Sequence, residues 1–354
     1  MNIEKIEFPE KYLELAGENI KNIARIISQH GEIYKIRTKD FEMIARVSGK
    51  LEHNITHLSS FPVVGDYVIV KNTEQGEGVI HEVLLRKSLF IRKAAGTSKN
   101  EQAIAANIDY VFICMSLNND FNLRRLERYL AISWDSGAVP VVVLTKADLC
   151  EDVDEKTSEV ENIALGVSII TTSSLEDIGY DRLFEYVKKD KTVAFLGSSG
   201  VGKSTLINKL IGENIIKTKE IRGDDDKGRH TTTSRNLFYL KNGGAVIDTP
   251  GMREIGIESA DISQTFSDIE ELALLCKFSD CQHLSEPGCA VKKAAEDGII
   301  TNARVKSYNK LKIEMGYEGL NFKQLEKEKL NRMFADHGGI KNVKKVMKEK
   351  NKRN

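Results

Sequence analysis

Polar and apolar residues alternate in the first part of the chain, between Ile23 and about Arg92. Alternation with a period of two, interrupted by Gly, Asn, Ser and Pro, predicts short β-strands joined by tight loops. The predicted strands begin at Ile23, Ile33, Phe41, Asp66 and Val79. Short strands in such close succession, with no long helix between them, predict a small β-barrel of the OB type.

Barrels of this kind often bind nucleic acid through basic and aromatic side chains. The basic candidates in the predicted barrel are Lys35, Arg37, Lys39 and Arg46. The same charges are equally compatible with a solvated face on a barrel that only packs against its neighbour, and the sequence leaves both interpretations open.

From about Asn107 the pattern changes to buried strands that alternate with helices. Apolar runs predict strands at 108–115, 139–144, 167–170, 192–196, 236–240 and 245–247, and helices at 123–133 and 178–188. This alternation predicts a mostly parallel sheet with helices on both faces, which binds ligands at the carboxyl ends of its strands.

A glycine-rich loop follows the predicted strand at 192–196. Residues 197–204 fit the pattern Gly-x-x-x-x-Gly-Lys-Ser, and an amphipathic helix opens at Thr205. Strand, loop and helix start form the context of a phosphate-binding loop, in which backbone N–H groups and the helix dipole face one anion. The alternative is a chance glycine turn before a core helix. The predicted triphosphate site comprises Gly197, Ser198, Ser199, Gly200, Val201, Gly202, Lys203, Ser204 and Thr205, with Lys203 on the β- and γ-phosphates and Ser204 on magnesium.

The segment Asp248-Thr-Pro-Gly251 ends the strand at 245–247 and fits the second half of a triphosphate site. Asp248 is expected to hold magnesium through water, and the Gly251 N–H to bond the γ-phosphate. Many GTPases place Gln directly after this motif to orient the attacking water. Met252 cannot do so, which predicts slow intrinsic hydrolysis.

His230 is the internal candidate for the missing catalytic group, because an imidazole near the γ-phosphate can orient or deprotonate water. It is equally compatible with a contact to RNA or with folding of its own loop. Among Thr231, Thr232 and Thr233, Thr232 is the preferred magnesium ligand and, with Lys203, joins His230 in the predicted catalytic set.

A candidate base-reading segment, Thr145-Lys-Ala-Asp148, follows the strand at 139–144 and resembles the Asn-Lys-x-Asp motif of GTPases, with Thr145 in place of Asn. A carboxylate accepts from both the ring N–H and the exocyclic amine of guanine, whereas adenine would leave it poorly paired. Asp148 is therefore expected to select guanine, with the Lys146 stem across the base and Ala147 between them. Thr172 and Ser173 form the predicted base loop, whose backbone N–H would meet the guanine oxygen.

Three of the five cysteines lie close together, in the spacing Cys276-x4-Cys281-x-His283-x5-Cys289. Three thiolates and one imidazole with no open position are typical of structural zinc. The alternative is three ordinary reduced cysteines in a helical segment. We predict one structural zinc ion.

Base reader, phosphate loop and Asp-x-x-Gly segment occur here in that order, whereas an ordinary GTPase begins with the phosphate loop and ends with the base reader. The chain therefore resembles a circularly permuted GTPase. With a barrel in front and a cysteine cluster behind, it resembles the ribosome small-subunit-dependent GTPases of bacteria over about residues 22–295, including the stretches 102–109 and 228–233. The resemblance implies GTP hydrolysis stimulated by the small ribosomal subunit, binding to that subunit and its rRNA late in assembly, and release linked to hydrolysis.

The composition changes this picture mainly at the C-terminus. Lys plus Arg and Asp plus Glu each number 52, so the chain as a whole is neutral, but its last fourteen residues carry seven Lys and Arg against one Glu. A basic end suits a phosphate backbone, although such runs can also simply be solvated. The sequence shows neither a membrane span nor a signal peptide, so we expect a cytoplasmic monomer.

These features together predict a multidomain chain with an N-terminal arm (1–21), an OB-type barrel (22–95), a circularly permuted α/β P-loop GTPase domain (96–255) and a small, α-rich, zinc-binding and helical C-terminal domain with a basic tail (256–354). The alternatives are a non-catalytic RNA-binding adaptor whose shape GTP tunes, a permuted GTPase acting on a different RNA, and a P-loop ATPase or kinase, which Asp148 argues against.

Overall fold

Five strands form a closed barrel near the N-terminus of the computed structural model, which describes residues 5–72, 76–93, 101–216, 235–248 and 262–315. The strands are β1 (Ile23–His30), β2 (Ile33–Arg37), β3 (Glu42–Val47), β4 (Tyr67–Asn72) and β5 (Gly78–Val83). They pair in the order β1-β2-β3-β5-β4, and β4 pairs back to β1. Closure leaves no open edge in the barrel, and the predicted OB-type barrel is confirmed.

A helix before the barrel is packed against it. In α1 (Glu10–Ala16) the Tyr12 ring stacks on Tyr67 of β4 at a centroid distance of 3.7 Å. The Tyr12 hydroxyl donates to Asn107 Oδ1 at 2.8 Å. The segment predicted as an arm thus contacts both the barrel and the chain that leads into the next domain.

Between the barrel and the second domain lies a short hairpin of β6 (Leu89–Lys93) and β7 (Glu101–Ala106), and a helix α2 (Gly49–Asn54) precedes β4. The Ser48 hydroxyl begins α2 by accepting from the Leu51 N–H at 3.1 Å, as an N-cap residue does.

The second domain is built on a six-stranded portion of the sheet. Its strands are β8 (Tyr110–Ser116), β9 (Val139–Thr145), β10 (Ser168–Thr171), β11 (Thr192–Leu196), β12 (Arg235–Tyr239) and β13 (Ala245–Asp248). They lie in the order β10-β9-β8-β11-β13-β12, all parallel except β12. All five residues of β11 are buried, as expected for a central parallel strand covered on both faces. The carboxyl ends of β9, β10, β11 and β13 therefore share one edge, where a ligand would bind.

The helices of this domain are α3 (Leu123–Asp135), α4 (Val153–Glu161), α5 (Tyr180–Phe184) and α6 (Lys203–Ile211). The sequence predicts a longer helix at 178–188. The observed α5 starts after Gly179, which is left-handed with φ 83°. Beyond Phe184 the N–H groups of Tyr186 and Val187 bond three residues back instead of four, which tightens the chain into a turn and ends the α-helix.

Strand β12 joins the barrel to the second domain. It pairs with β13 on one side and with β1 on the other, so eleven strands form one continuous sheet. Arg25 of β1 crosses this junction: its Nη2 donates to Thr192 Oγ1 at 2.7 Å, and its guanidinium lies 4.8 Å from the Tyr67 ring centroid. The barrel is therefore hydrogen-bonded to Thr192, the first residue of β11.

Three C-terminal helices pack on the second domain: α7 (Ser267–Ala273), α8 (Ala290–Glu296) and α9 (Asn302–Met315). Arg304 of α9 bonds Asp268 of α7 at 2.7 Å and Glu127 of α3 at 3.1 Å, with side chains that are 4%, 22% and 0% exposed respectively. This buried ion cluster ties the C-terminal unit to α3. The predicted basic tail lies outside the described residues. Within the described ranges, no helix has both the length and the apolar character to cross a membrane.

Candidate nucleotide site and metal centre

The loop between β11 and α6 turns through three left-handed glycines. Gly197, Gly200 and Gly202 have φ values of 142°, 80° and 99°. A Cβ on Gly197 would lie 2.4 Å from the carbonyl oxygen of Cys114 on β8, so no side chain fits there. Gly202 is the N-cap of α6, whose first residue is Lys203. The loop can thus curl tightly over a helix N-terminus, as phosphate binding requires.

Lys203 lies folded against the loop that it follows. Its Nζ donates to the Gly197 carbonyl at 2.7 Å and also to the Ser198 carbonyl. These bonds hold the ammonium beside the backbone that would surround a phosphate. The Ser204 hydroxyl stands one residue further along, in the first turn of α6.

The candidate base reader lies across the sheet edge from this loop. Lys146 adopts a left-handed conformation with φ 59°, and Asp148 follows in the short turn Ala147–Leu149. Ser173 Oγ donates to Asp148 Oδ1 at 2.6 Å, and the Ala147 N–H donates to the Thr172 carbonyl at 3.2 Å. The base reader and the base loop therefore form one bonded unit, with the carboxylate held in place by a hydroxyl.

Thr145 connects this unit to the phosphate loop. Its side-chain hydroxyl, which is buried, donates to the Val201 carbonyl at 2.6 Å. From the sequence, Thr145 in place of Asn is expected to lose an amide contact. The structure shows a compensating contact that the motif alone does not reveal.

The sequence did not single out Asp120 and Arg125, which lie beside Ser198. Arg125 sits in a helix rich in Arg and Leu, where a charge normally indicates a solvated face, so no sequence signal distinguished it. Asp248 stands at the end of β13, next to β11. The remaining predicted site residues, His230, Thr231, Thr232, Thr233, Gly251 and Met252, lie outside the described residues.

The cysteine cluster forms a compact set of four candidate ligands. Cys276 Sγ lies 3.7 Å from His283 Nδ1 and 3.9 Å from Cys289 Sγ. Cys289 Sγ lies 3.4 Å from His283 Nδ1. With Zn–S near 2.3 Å and Zn–N near 2.0–2.1 Å, tetrahedral ligands lie about 3.5–3.8 Å apart. Together with Cys281, all four ligand atoms fall within 4.8 Å of one another. The donor set and its spacing fit a structural zinc ion.

Backbone geometry and protonation are compatible with metal binding at this cluster. His283 has a left-handed backbone with φ 58°, and its imidazole faces the thiols through Nδ1. Burial lowers the pKa of His283, which favours the neutral ring that a metal needs. Burial raises the pKa of Cys276, but hydrogen bonds from the backbone N–H groups of Val291 and Ala290 and from the Cys289 and Cys281 side chains together lower this pKa overall.

Removal of the metal should unfold the C-terminal unit while leaving nucleotide binding largely intact, because none of the four ligands belongs to the phosphate loop or the base reader. Structural zinc supplies on the order of 10 kcal/mol of folding free energy in small domains. Chelation, or Cys281→Ser, is expected to increase hydrogen exchange in α7, α8 and α9. Cys150→Ser, which removes a thiol outside the cluster, is the control. Loss of nucleotide affinity before any change in these helices would contradict the prediction.

Sheet order, phosphate loop and base reader together define a P-loop GTPase with a circularly permuted chain. Residues 83–258 match the family model described as RsgA GTPase. A protein of Lactiplantibacillus plantarum named small ribosomal subunit biogenesis GTPase RsgA 2 is 51% identical over 94% of this chain and 94% of its own length. The chain belongs to the RsgA GTPase family.

Further similarities support this assignment. A Methanosarcina acetivorans protein named small ribosomal subunit biogenesis GTPase RsgA is 42% identical over 95% of this chain and 91% of its own. The crystal structure of YjeQ from Thermotoga maritima has a TM-score of 0.62 at 28% identity, covering 83% of this chain and 98% of that one. The crystal structure of YloQ, a circularly permuted GTPase, has a TM-score of 0.58 at 26% identity, covering 85% and 96%. The predicted GTPase class and permuted fold are confirmed.

Proposed function

We propose that this GTPase binds the small ribosomal subunit, assists its late maturation and leaves when GTP is hydrolysed. The observation that carries the nucleotide part is the Asp148 carboxylate, held by Ser173 and linked through Thr145 to the phosphate loop. The names of the relatives support the subunit as partner.

Guanine recognition follows from the bonds in the base reader. A carboxylate has about four acceptor positions, so the bond from Ser173 leaves Asp148 able to accept from the ring N–H and amine of guanine. In the base loop, the N–H groups of Thr172 and Ser173 bond the carbonyls of Leu144 and Ile178. The next N–H along, that of Ser174, is the better donor to the guanine oxygen.

Phosphate binding and hydrolysis use the opposite side of the site. Lys203 would contact the β- and γ-phosphates, and magnesium would be held by Ser204 and Thr232, with Asp248 acting through water. Bound magnesium supplies charge stabilisation at the phosphoryl oxygens. Because Met252 replaces the usual Gln, His230 is the candidate for orienting water, and the subunit is the candidate source of stimulation.

The barrel offers a surface for an RNA partner. A groove of about 740 Å³ lies between the barrel and the β6–β7 hairpin, with Arg46, Arg92, Leu58 and Phe61 among its lining residues. Glu32 and Glu52 also line the groove and balance the two arginines, so the apolar and aromatic groups are the feature that suits a nucleic-acid strand. In this proposal the protein is a cytoplasmic monomer that contacts the small subunit through this groove.

The test is the GTP hydrolysis rate with and without purified small ribosomal subunits. We expect slow turnover alone and a large increase on adding the small subunit, with large subunits as the control. A chain that binds the subunit but shows no stimulation would favour the adaptor alternative. Stimulation by unrelated RNA alone would favour a different RNA substrate.

A further inference from the structure

Two charged side chains outside the sequence motifs contact the phosphate loop. Arg125 Nη1 lies 2.8 Å from Ser198 Oγ and 2.7 and 2.9 Å from the two carboxylate oxygens of Asp120. Ser198 Oγ also donates to Asp120 Oδ2. The hydroxyl therefore both donates and accepts, and the three side chains form a closed set of bonds, here named the loop clamp.

The loop clamp is built on ordered backbone. The Asn122 side chain caps α3 by accepting from the Arg125 N–H at 3.0 Å, which fixes the turn that carries the guanidinium. The Asp120 N–H donates to Asn118 Oδ1 at 3.0 Å. The backbone of each charged residue is thus held by a neighbouring asparagine, independently of Ser198.

We propose that Arg125 and Asp120 are positioning residues for the phosphate loop, which they act on through Ser198. The Ser198 carbonyl is one of the two that accept from the Lys203 ammonium. Fixing Ser198 therefore fixes a bonding partner of the lysine that would meet the phosphates. A site of backbone donors is effective only when its geometry is set before the ligand arrives.

Charge compensation is the second part of this role. Burial raises the pKa of Asp120, but bonds from Ser198 and Arg125 and the nearby charge of Lys146 bring it below its ordinary value. Asp120 is therefore ionised at neutral pH beside a site for a polyphosphate, which a bare carboxylate would repel. Arg125 cancels that charge while Asp120 orients the guanidinium, so the two residues act as a pair.

Nucleotide binding without ribosomal subunits tests this inference, using fluorescent GDP and a GTP analogue. Arg125→Met is expected to weaken binding at least tenfold, because it releases Ser198 and leaves Asp120 unpaired. Arg125→Lys should restore it only in part, since an ammonium lacks the guanidinium fork. Asp120→Asn should cost less than Arg125→Met. Adding Asp120→Ala to Arg125→Met should recover part of the lost affinity.

Salt dependence separates charge compensation by Arg125 from a general loss of stability. Repulsion from an unpaired Asp120 is screened by salt, so the affinity gap between Arg125→Met and the native chain should narrow as ionic strength rises. Arg128→Met is the matched control, because Arg128 lies on the same helix as Arg125 but pairs with Glu314 of α9. Native-like affinity of Arg125→Met, or a deficit that neither salt nor the second substitution reduces, would overturn the inference.

The inference rests on the proposed nucleotide site. The same titrations distinguish a failure of that site from a failure of the role given to the loop clamp. A native chain that binds no guanine nucleotide would defeat the proposed site itself. A native chain that binds, with all loop-clamp variants binding equally well, would defeat only the role given to Arg125 and Asp120.

Discussion

An Asp148→Asn variant is expected to bind GTP about a thousand-fold more weakly than the native chain. The amide N–H₂ would face the N–H donors of guanine, so a bond between donor and acceptor is lost. A site built to hydrogen-bond one base strongly rejects a base or a side chain whose donors and acceptors do not match. The same change should raise affinity for xanthosine triphosphate, whose base has a carbonyl where guanine has its amine. Competition titrations with the nucleoside triphosphates measure both effects.

The control for this variant is Asp152→Asn, the same substitution at an exposed position four residues later. It should leave nucleotide preference unchanged. If Asp148→Asn kept its preference for GTP, or if the native chain held ATP as firmly as GTP, the assignment of Asp148 as the base reader would be wrong.

Replacing Arg304 by Met is expected to lower the free energy of unfolding by about 3–5 kcal/mol, the cost of breaking a buried ion pair, because Glu127 and Asp268 both lose their shared partner. Glu127 is fully buried and, among the residues that the structure describes, would keep only the partly exposed Arg124 and the Ser307 hydroxyl as stabilising partners. Urea denaturation followed by the fluorescence of Trp134, the single tryptophan, reports the change on α3 itself.

The pH dependence of this variant has a definite sign. Burial raises the pKa of Glu127 even though Arg124 and Arg304 act to lower it. The folded chain therefore binds this proton more tightly than the unfolded chain, and charging Glu127 costs stability as the pH rises through its folded pKa. The deficit of Arg304→Met should shrink toward acid pH, where Glu127 becomes neutral.

Arg128→Met provides the comparison, because the Arg128–Glu314 pair also joins α3 to α9. Its partner Glu314 and Arg128 itself are 27% and 32% exposed, and pairs of this kind contribute under about 1 kcal/mol. Equal losses from Arg304→Met and Arg128→Met would show that burial does not set the strength of these contacts.

The sequence predicts those parts of the site that depend on neighbouring residues. The glycine loop, the Thr145–Asp148 segment and the cysteine cluster each occupy a short stretch, so spacing alone indicates their chemistry, and their order reveals the permutation. The barrel is predictable because alternation is also local. Contacts between distant residues are not: Thr145 bonds Val201 across 56 positions, and Arg304 bonds Glu127 across 177. In the sequence, such charges and hydroxyls look like any solvated face.

The strand β12 links the placement of the barrel to the strand that carries Asp248. Asn236 is paired with Ser28 of the barrel on one side and with Asp248 on the other. Neighbouring strands lie about 4.8 Å apart, so only two such steps separate the candidate magnesium residue from the barrel wall. A slip of β12 by one residue would turn its side chains to the opposite face. The register of this one strand therefore fixes the placement of the barrel relative to the nucleotide pocket.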